Sequence, residues 1–168
     1  TPAQNICKEV DDIAWMERYG HERIAGRGGE TGASGNFDVK YYRCEWEVDP
    51  AIRYITGKVT VYYLLTASSN SITLDLMNGL IVDSIKQRFT ILTSQHASNL
   101  LQVNFPASVN AGVIDSVSIF YRGIPPNTGF GSFVLSTHAG APVMWSLSEP
   151  YGSRDWWPCK NGLDDKAD

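Results

Sequence analysis

The stretch Tyr41-Tyr-Arg-Cys-Glu-Trp-Glu-Val-Asp-Pro50 decides the fold class, because its side chains alternate with a period of two. Residues of one parity are apolar and fall on one face of an extended chain: Tyr42, Cys44, Trp46 and Val48. Residues of the other parity are mostly charged and fall on the opposite face: Tyr41, Arg43, Glu45 and Glu47. Such alternation is typical of a half-buried β-strand, and Asp49-Pro50 ends it.

The same period recurs along the chain. Gly57 opens a second run, and 72–76 continues the pattern up to the tight turn Asn78-Gly79. Further strands are predicted at 80–85, 100–105 and 113–121. We expect the apolar positions of these strands to point inward: Tyr42, Trp46, Val59, Val61, Tyr63, Leu74, Val103 and Ile119. Turn signals roughly every eight to twelve residues, with no helical pattern between them, predict a mainly β domain, an antiparallel sandwich or saddle-like sheet.

The N-terminal part of the chain is organised differently. Apolar residues at three- and four-residue spacing predict a short helix at 5–19. Residues 26–36 contain five glycines and no large apolar side chain, which is typical of a flexible linker. The predicted organisation is a helical extension at 1–25, a linker at 26–36 and a β-domain at 37–168.

Length and composition bound the function. A chain of 168 residues supports one domain with a substantial core. The net charge of -4 gives no basic footprint for nucleic acid, and no apolar run approaches the eighteen or so residues of a membrane span. The start at Thr1-Pro-Ala-Gln resembles a mature product after signal removal, or a start set by cloning. The first reading makes a secreted, periplasmic or cell-surface protein the expectation.

The strands carry no catalytic constellation. Asp75 and Asp83 are predicted to face solvent rather than to act as an acid–base pair. His21-Glu22 begins an H-E-x-x-H pattern, but Ala25 stands where the second histidine is needed, so we expect no metal site in this chain.

Three cysteines permit at most one internal disulfide. Cys159 is predicted to be a buried packing thiol beside Trp157 and Pro158. Cys7 and Cys44 are the better candidates for a disulfide if the protein is exported.

The last twenty or so residues combine large aromatic and charged side chains, including Trp145, Trp156, Trp157 and Arg154. One interpretation is a fixed, aromatic wall of a binding site. The other is a hydrophobic lid, in which Trp156 and Trp157 plug the end of the core and Arg154 caps carbonyls.

Ordered short motifs complete the sequence. Two lie in the early strands, Ile55-Thr-Gly-Lys-Val59 and Ile72-Thr-Leu-Asp-Leu76. The others follow in the second half of the chain: Ile119-Phe-Tyr-Arg-Gly123, Gly129-Phe-Gly-Ser-Phe133, Glu149-Pro-x-x-x-Arg154-x-x-x-Pro158-Cys159 and Lys166-Ala167. This series resembles the N-terminal domain of the gluzincin aminopeptidases, the family of aminopeptidase N and leukotriene hydrolase, over about residues 37–168. The chain departs from the family at Trp157, where the family has Phe, and at 160–165, which replaces a Phe-Asp-Glu-Pro run.

The resemblance implies a domain without catalytic residues of its own. The family's zinc motif and its G-x-M-E-N segment are not in these residues and belong to a catalytic domain that follows. The implied role is to wall the active-site cleft of a zinc aminopeptidase and to help bind the free N-terminus of peptide substrates. The implied partners are that downstream domain and the peptides. Zinc belongs to the full-length enzyme, and the isolated chain is expected to have no peptidase activity.

The resemblance also implies a site residue. Glu149 stands where the family places the Glu or Gln that binds the substrate's α-amine, with Pro150, Tyr151, Gly152 and Arg154 as neighbouring cleft or supporting residues. Pro150 restricts Glu149 to extended backbone angles. The alternative is an ion pair of Glu149 with Arg154. The alternative function is a glycan- or ligand-binding β-sandwich, in which exposed tryptophans stack on sugar rings.

Overall fold

The computed structural model describes residues 31–127, 132–148, 151–162 and 167. The predicted helix at 5–19 and residues 26–30 of the predicted linker lie outside the described residues. The division of the chain into extension, linker and β-domain therefore stays a prediction. Within the described ranges, no helix is long and apolar enough to cross a membrane.

Nine strands and one 3₁₀ turn at Ser153–Asp155 make up the described chain. The strands are β1 Phe37–Asp49, β2 Ile52–Leu65, β3 Ser69–Asp75, β4 Leu80–Gln87, β5 Thr90–Ala97, β6 Leu100–Val109, β7 Ile114–Gly123, β8 Val134–His138 and β9 Ala141–Trp145. Two of the hairpin turns need a left-handed backbone. Ser98 and Asn99 join β5 to β6, and Ala139 and Gly140 join β8 to β9, with positive φ at all four residues.

Seven strands form one antiparallel sheet in the order β1-β2-β7-β4-β5-β6-β3, and β8 and β9 form a separate hairpin. The seven-stranded sheet is curled into a half-barrel. The predicted mainly β, antiparallel fold is therefore confirmed. Strand β3 lies at one edge, and part of that edge is covered by a bond from Ser34 N to Thr73 O at 3.0 Å. Because its edge is covered there, β3 offers few free backbone groups to another chain.

The concave face of the sheet holds the core. Six of the positions predicted to point inward are fully buried: Val59, Val61, Tyr63, Leu74, Val103 and Ile119. Tyr42 is half-buried. Trp46 also points inward, since its Nε1 donates to the hydroxyl of buried Tyr121 at 3.1 Å, but it stays 40% exposed. Trp46 lies near the end of the edge strand β1, where one ring face packs on Trp156 and no further strand covers the other.

The two aspartates that were expected to face solvent differ. Asp83 is exposed and pairs with Arg122, with 3.0 Å between Oδ1 and Nε, so that prediction is confirmed. The prediction for Asp75 was wrong, because this residue is 0% exposed. Strand β3 ends at Asp75, and the chain around Cys159 crosses the end of the strand and covers it.

Core burial gives a stability prediction. Leu74→Ala removes a fully buried side chain from β3 and is expected to lower the free energy of unfolding by about 2–5 kcal/mol. Ile81→Ala removes a similar side chain that is 57% exposed, and is expected to stay within about 0.5 kcal/mol of the parent. Urea unfolding of the two variants measures the difference. Equal losses would contradict the burial described for β3.

Candidate functional site

Residues 151–162, here called the C-terminal segment, cross the end of the sheet. Two backbone hydrogen bonds join Asp75 and Cys159, from Asp75 N to Cys159 O at 2.8 Å and from Cys159 N to Asp75 O at 3.1 Å. A third runs from Met77 N to Arg154 O at 2.9 Å. The segment is thus attached to the chain at and just after the end of β3.

The Asp75 carboxylate lies under this segment and accepts hydrogen bonds from two stretches of chain. Its Oδ1 accepts from Gly32 N at 2.9 Å, and its Oδ2 accepts from Asn161 N at 3.1 Å and from the Thr31 hydroxyl. No described lysine or arginine forms an ion pair with it. Because a buried carboxylate without a cation must be solvated by donors, these three groups stand in for water.

The Asn161 side chain extends this network into the segment itself. Asn161 is 6% exposed, and its Nδ2 donates to Tyr151 O at 2.9 Å. The Cys159 thiol donates to Asn161 Oδ1 at 3.8 Å, a long contact that sulfur allows. The two ends of the segment are therefore joined through Asn161 and Tyr151, and the Asp75 carboxylate binds the segment at Asn161 N.

Aromatic rings form the other anchor of the segment. Trp156 is 8% exposed, and its ring centroid lies 4.5 Å from that of Trp46 and 6.1 Å from that of Phe133. The Tyr121 hydroxyl accepts from Trp46 Nε1 at 3.1 Å and donates to Trp156 O at 2.9 Å. Burial raises the pKa of Tyr121, and the hydrogen bond from Trp46 opposes part of that rise. Tyr121 therefore remains a neutral donor and acceptor at this contact.

These contacts support the lid interpretation for Trp156 and Trp157. The Trp157 ring packs edge-on against Tyr42, with centroids 5.0 Å apart. Arg154 supplies a backbone carbonyl to Met77, whereas the prediction had its side chain capping carbonyls. A sugar platform of three tryptophans is not assembled. Trp145 is 46% exposed, but Trp156 is buried among other rings.

Glu149 and Pro150 lie outside the described residues, so their predicted roles are not tested. The residues on both sides of them are described. Ser148 O accepts from Gly152 N at 2.8 Å, and Ser148 Oγ accepts from Trp156 Nε1 at 3.2 Å. A Cβ on Gly152 would lie 2.5 Å from Ser132 Oγ and 2.9 Å from Leu147 O, so a larger residue does not fit there.

The remaining predicted neighbours of Glu149 are partly buried. Tyr151, Gly152 and Arg154 all belong to the C-terminal segment. The 3₁₀ turn that contains Arg154 is held by Asp155, which is 4% exposed and accepts from Ser132 Oγ at 2.8 Å. The residues on both sides of positions 149–150 are thus attached to the domain by the hydrogen bonds of Ser148 and Asp155.

The described residues do not fit a zinc site. They contain no group of three His, Cys, Asp or Glu side chains that could hold a metal ion. His96 Nε2 lies 3.0 Å from Leu76 O, and His138 is exposed at the end of β8.

The thiols are packing groups. Cys159 is 2% exposed, as predicted, and burial raises its pKa well above the ordinary value. Cys44 is a free, half-buried thiol whose pKa burial raises to about 11. Cys7 lies outside the described residues, so the conditional disulfide between Cys7 and Cys44 stays a prediction.

Comparison with known proteins gives structural matches alone. A mutant of a two-domain M1 zinc metallopeptidase bound to L-arginine matches 80% of this chain and 32% of its own, with 24% identity and a TM-score of 0.69. The M1 zinc metallopeptidase of Deinococcus radiodurans matches 80% of this chain and 31% of its own, with 23% identity and a TM-score of 0.68. This chain has the fold of their N-terminal domain.

A third match adds a peptide-bound state. A mutant of the D. radiodurans enzyme bound to a Tyr-Ser-Ala substrate matches 79% of this chain and 31% of its own, with 24% identity and a TM-score of 0.67. The chain spans about a third of the length of these M1 enzymes. No protein-family model and no curated protein matches it. The predicted resemblance is therefore confirmed at the level of the fold.

Sequence reasoning missed the residues that build the frame of the segment. Asp75, Tyr121 and Asn161 meet there from positions up to 86 residues apart in sequence. One signal was available, since Asp75 belongs to the motif at 72–76, and a charged residue in a family motif at a strand end suggests a structural partner.

The Asp75 network gives a second stability prediction. The two backbone donors bind different oxygens of Asp75, and asparagine has one acceptor oxygen, so Asp75→Asn leaves a buried N–H facing an amide NH₂. We expect the free energy of unfolding to fall by about 2–4 kcal/mol. Asp83→Asn, which breaks a surface ion pair, is expected to cost less than about 1 kcal/mol. Urea unfolding measures both, and a smaller loss for Asp75→Asn than for Asp83→Asn would refute the assignment.

The thiol environments give a prediction about alkylation. With a pKa of about 11, the fraction of Cys44 that is thiolate at pH 8 is roughly a hundredfold lower than for a thiol with a pKa of 9. Because only the thiolate reacts, the alkylation rate of Cys44 should rise about tenfold per pH unit until the pH reaches the pKa, at about pH 11. Cys159 should react only on unfolding. Iodoacetamide labelling followed by peptide mass spectrometry measures each site, and fast native labelling of Cys159 would contradict its burial.

Proposed function

We propose that this chain is the N-terminal, non-catalytic domain of a zinc metallo-aminopeptidase. It walls the active-site cleft and helps to bind the free N-terminus of the peptide substrate. The observation that carries the proposal is the structural match to the N-terminal domain of M1 zinc metallopeptidases, together with the sequence motifs that follow one another in the same order.

The partner in this proposal is a catalytic domain that follows in the same chain and carries the zinc. The matched enzymes are about two and a half times as long as this chain, and two of them are two-domain proteins. A fold match of this kind supports an architecture, and the chemistry belongs to the site that the catalytic domain supplies.

Glu149 is the residue proposed to contact the substrate. One D. radiodurans mutant was solved with a Tyr-Ser-Ala substrate, and two further M1 mutants with L-arginine or L-tryptophan, and each of these molecules carries a free α-amine. A carboxylate that meets such an ammonium away from water forms a charge-assisted hydrogen bond. The attached flanks, through Ser148 and Gly152, would hold this part of the chain in place while the substrate binds.

The test uses the full-length enzyme that carries this domain. A buried hydrogen bond to a charged group contributes about 1.5–3 kcal/mol, so Glu149→Ala should lower kcat/KM for aminoacyl chromogenic substrates by about ten- to a hundredfold. Glu149→Gln keeps an acceptor without the charge and should lose less. Glu47→Ala, on the exposed face of β1, is the matched control and should leave kcat/KM unchanged.

Two readouts separate a binding role from a structural one. Thermal unfolding of Glu149→Ala should be close to that of the parent, and zinc content should be unchanged. If the variant unfolds early while the folded fraction keeps its kcat/KM, Glu149 is structural. If the full-length protein has neither zinc nor aminopeptidase activity, the proposed function is wrong as a whole.

A further inference from the structure

The convex face of the sheet carries a second polar surface, on the side of β1, β2, β7 and β4 that points away from the core. A cavity of about 270 Å³ lies on this face. Its polar lining residues are four cations, Arg43, Lys58, Lys86 and Arg88, and four hydroxyl side chains, Thr60, Tyr62, Ser116 and Ser118. None of them belongs to the C-terminal segment or to the predicted cleft residues.

Strand register explains why this cavity exists. Arg43 pairs with Thr60, Thr60 with Ser118, and Ser118 with Lys86, so these four residues form one row across four strands. Neighbouring strands lie about 4.8 Å apart, which puts the two cations about 14 Å apart at Cα with two short side chains between them. Because the short side chains of Thr60 and Ser118 lie between the long side chains of Arg43 and Lys86, the surface is concave, and Thr60 and Ser118 form the floor of the cavity.

The floor offers hydroxyl groups. Thr60 Oγ1 and Ser118 Oγ lie 2.8 Å apart, and Thr60 is 7% exposed. One of the two hydroxyl protons is donated in this bond, and the other can rotate toward a ligand. Lys58 is two residues from Thr60 on β2, so both project from the same face.

The charge balance of this surface is positive. Four cations line the cavity, and two carboxylates pair with three of them. Glu45 lies 2.9 Å from Arg43 and 2.7 Å from Lys58, and Asp115 lies 3.1 Å from Arg88. The Lys86 ammonium lies 5.2 Å from the Phe120 ring centroid, and no described carboxylate pairs with it. A local excess of two positive charges thus sits on a chain whose net charge is -4.

We propose that this cavity is a binding site for a small doubly charged anion, a phosphate or sulfate group. Arg and Lys side chains supply the opposite charge, and the free hydroxyl proton of the floor supplies a further donor. The volume is just below the range typical of drug-sized ligands, which suits an anionic group with a small attached body. The acidic chain around the cavity repels a long polyanion, so the ligand is small.

The experiment is an amide NMR titration of the 168-residue chain with inorganic phosphate, at constant ionic strength maintained with NaCl. Saturable shifts confined to the neighbourhood of Arg43, Thr60 and Lys86 are the expected result. The double variant Lys58→Gln/Lys86→Gln should weaken phosphate affinity at least about tenfold, since two of the four cations are gone. The double variant Lys40→Gln/Arg122→Gln makes the same change in net charge outside the cavity and should stay within about twofold.

Separate titrations identify the source of the anion. Tighter binding of glucose 6-phosphate than of inorganic phosphate, with no binding of glucose, assigns the site to an ester. Equal binding of both anions assigns it to the free ion. Linear shifts that NaCl reproduces, or equal losses in the two double variants, would overturn the proposal. Because the cleft residues are untouched, these outcomes are independent of the aminopeptidase test.

Discussion

The buried carboxylate of Asp75 is the interaction on which the rest of the structure depends. Removing a carboxylate from water costs several kcal/mol unless donors replace the lost solvation. The donors here come from Thr31 and Gly32 before the sheet and from Asn161 after it. The first and last described stretches of the chain are therefore both required to solvate one side chain in the middle, which couples them to the end of β3.

Two surfaces of the domain have a proposed binding role. The end of the sheet, closed by the C-terminal segment, carries the aromatic contacts and the flanks of Glu149, and it is the side proposed to meet a catalytic domain. The convex face carries the cationic cavity around Thr60 and Ser118. In strand β2 the outward residues line the cavity, and the inward residues fill the core. The two proposed binding surfaces thus lie on different parts of the same β-domain.

Much of the fold was predictable from sequence, because burial on one face leaves a period of two in β1, β2 and β3. Strand β5 was missed, since Leu92 is its one fully buried residue and the pattern is too weak to read. The frame of the candidate site was not predictable. The burial of Asp75 and the exposure of Trp46 both depend on where the C-terminal segment crosses the sheet, and periodicity within one strand carries no information about such a crossing. Glu149 was assigned as a site residue from its place in the family motif, and no pattern within the chain itself indicated it.

The tryptophan contacts have a consequence for optical measurements. Three of the five tryptophans, Trp46, Trp156 and Trp157, lie within 6.3 Å of one another in ring-centroid distance, where the C-terminal segment meets β1. Most of the tryptophan fluorescence of the domain will therefore come from this contact between β1 and the C-terminal segment. The far-UV circular dichroism will come mainly from the seven-stranded sheet. The two spectroscopic signals follow different events, the release of the segment and the melting of the sheet. Their coincidence or separation during denaturation would show whether the wall of the proposed cleft opens by itself.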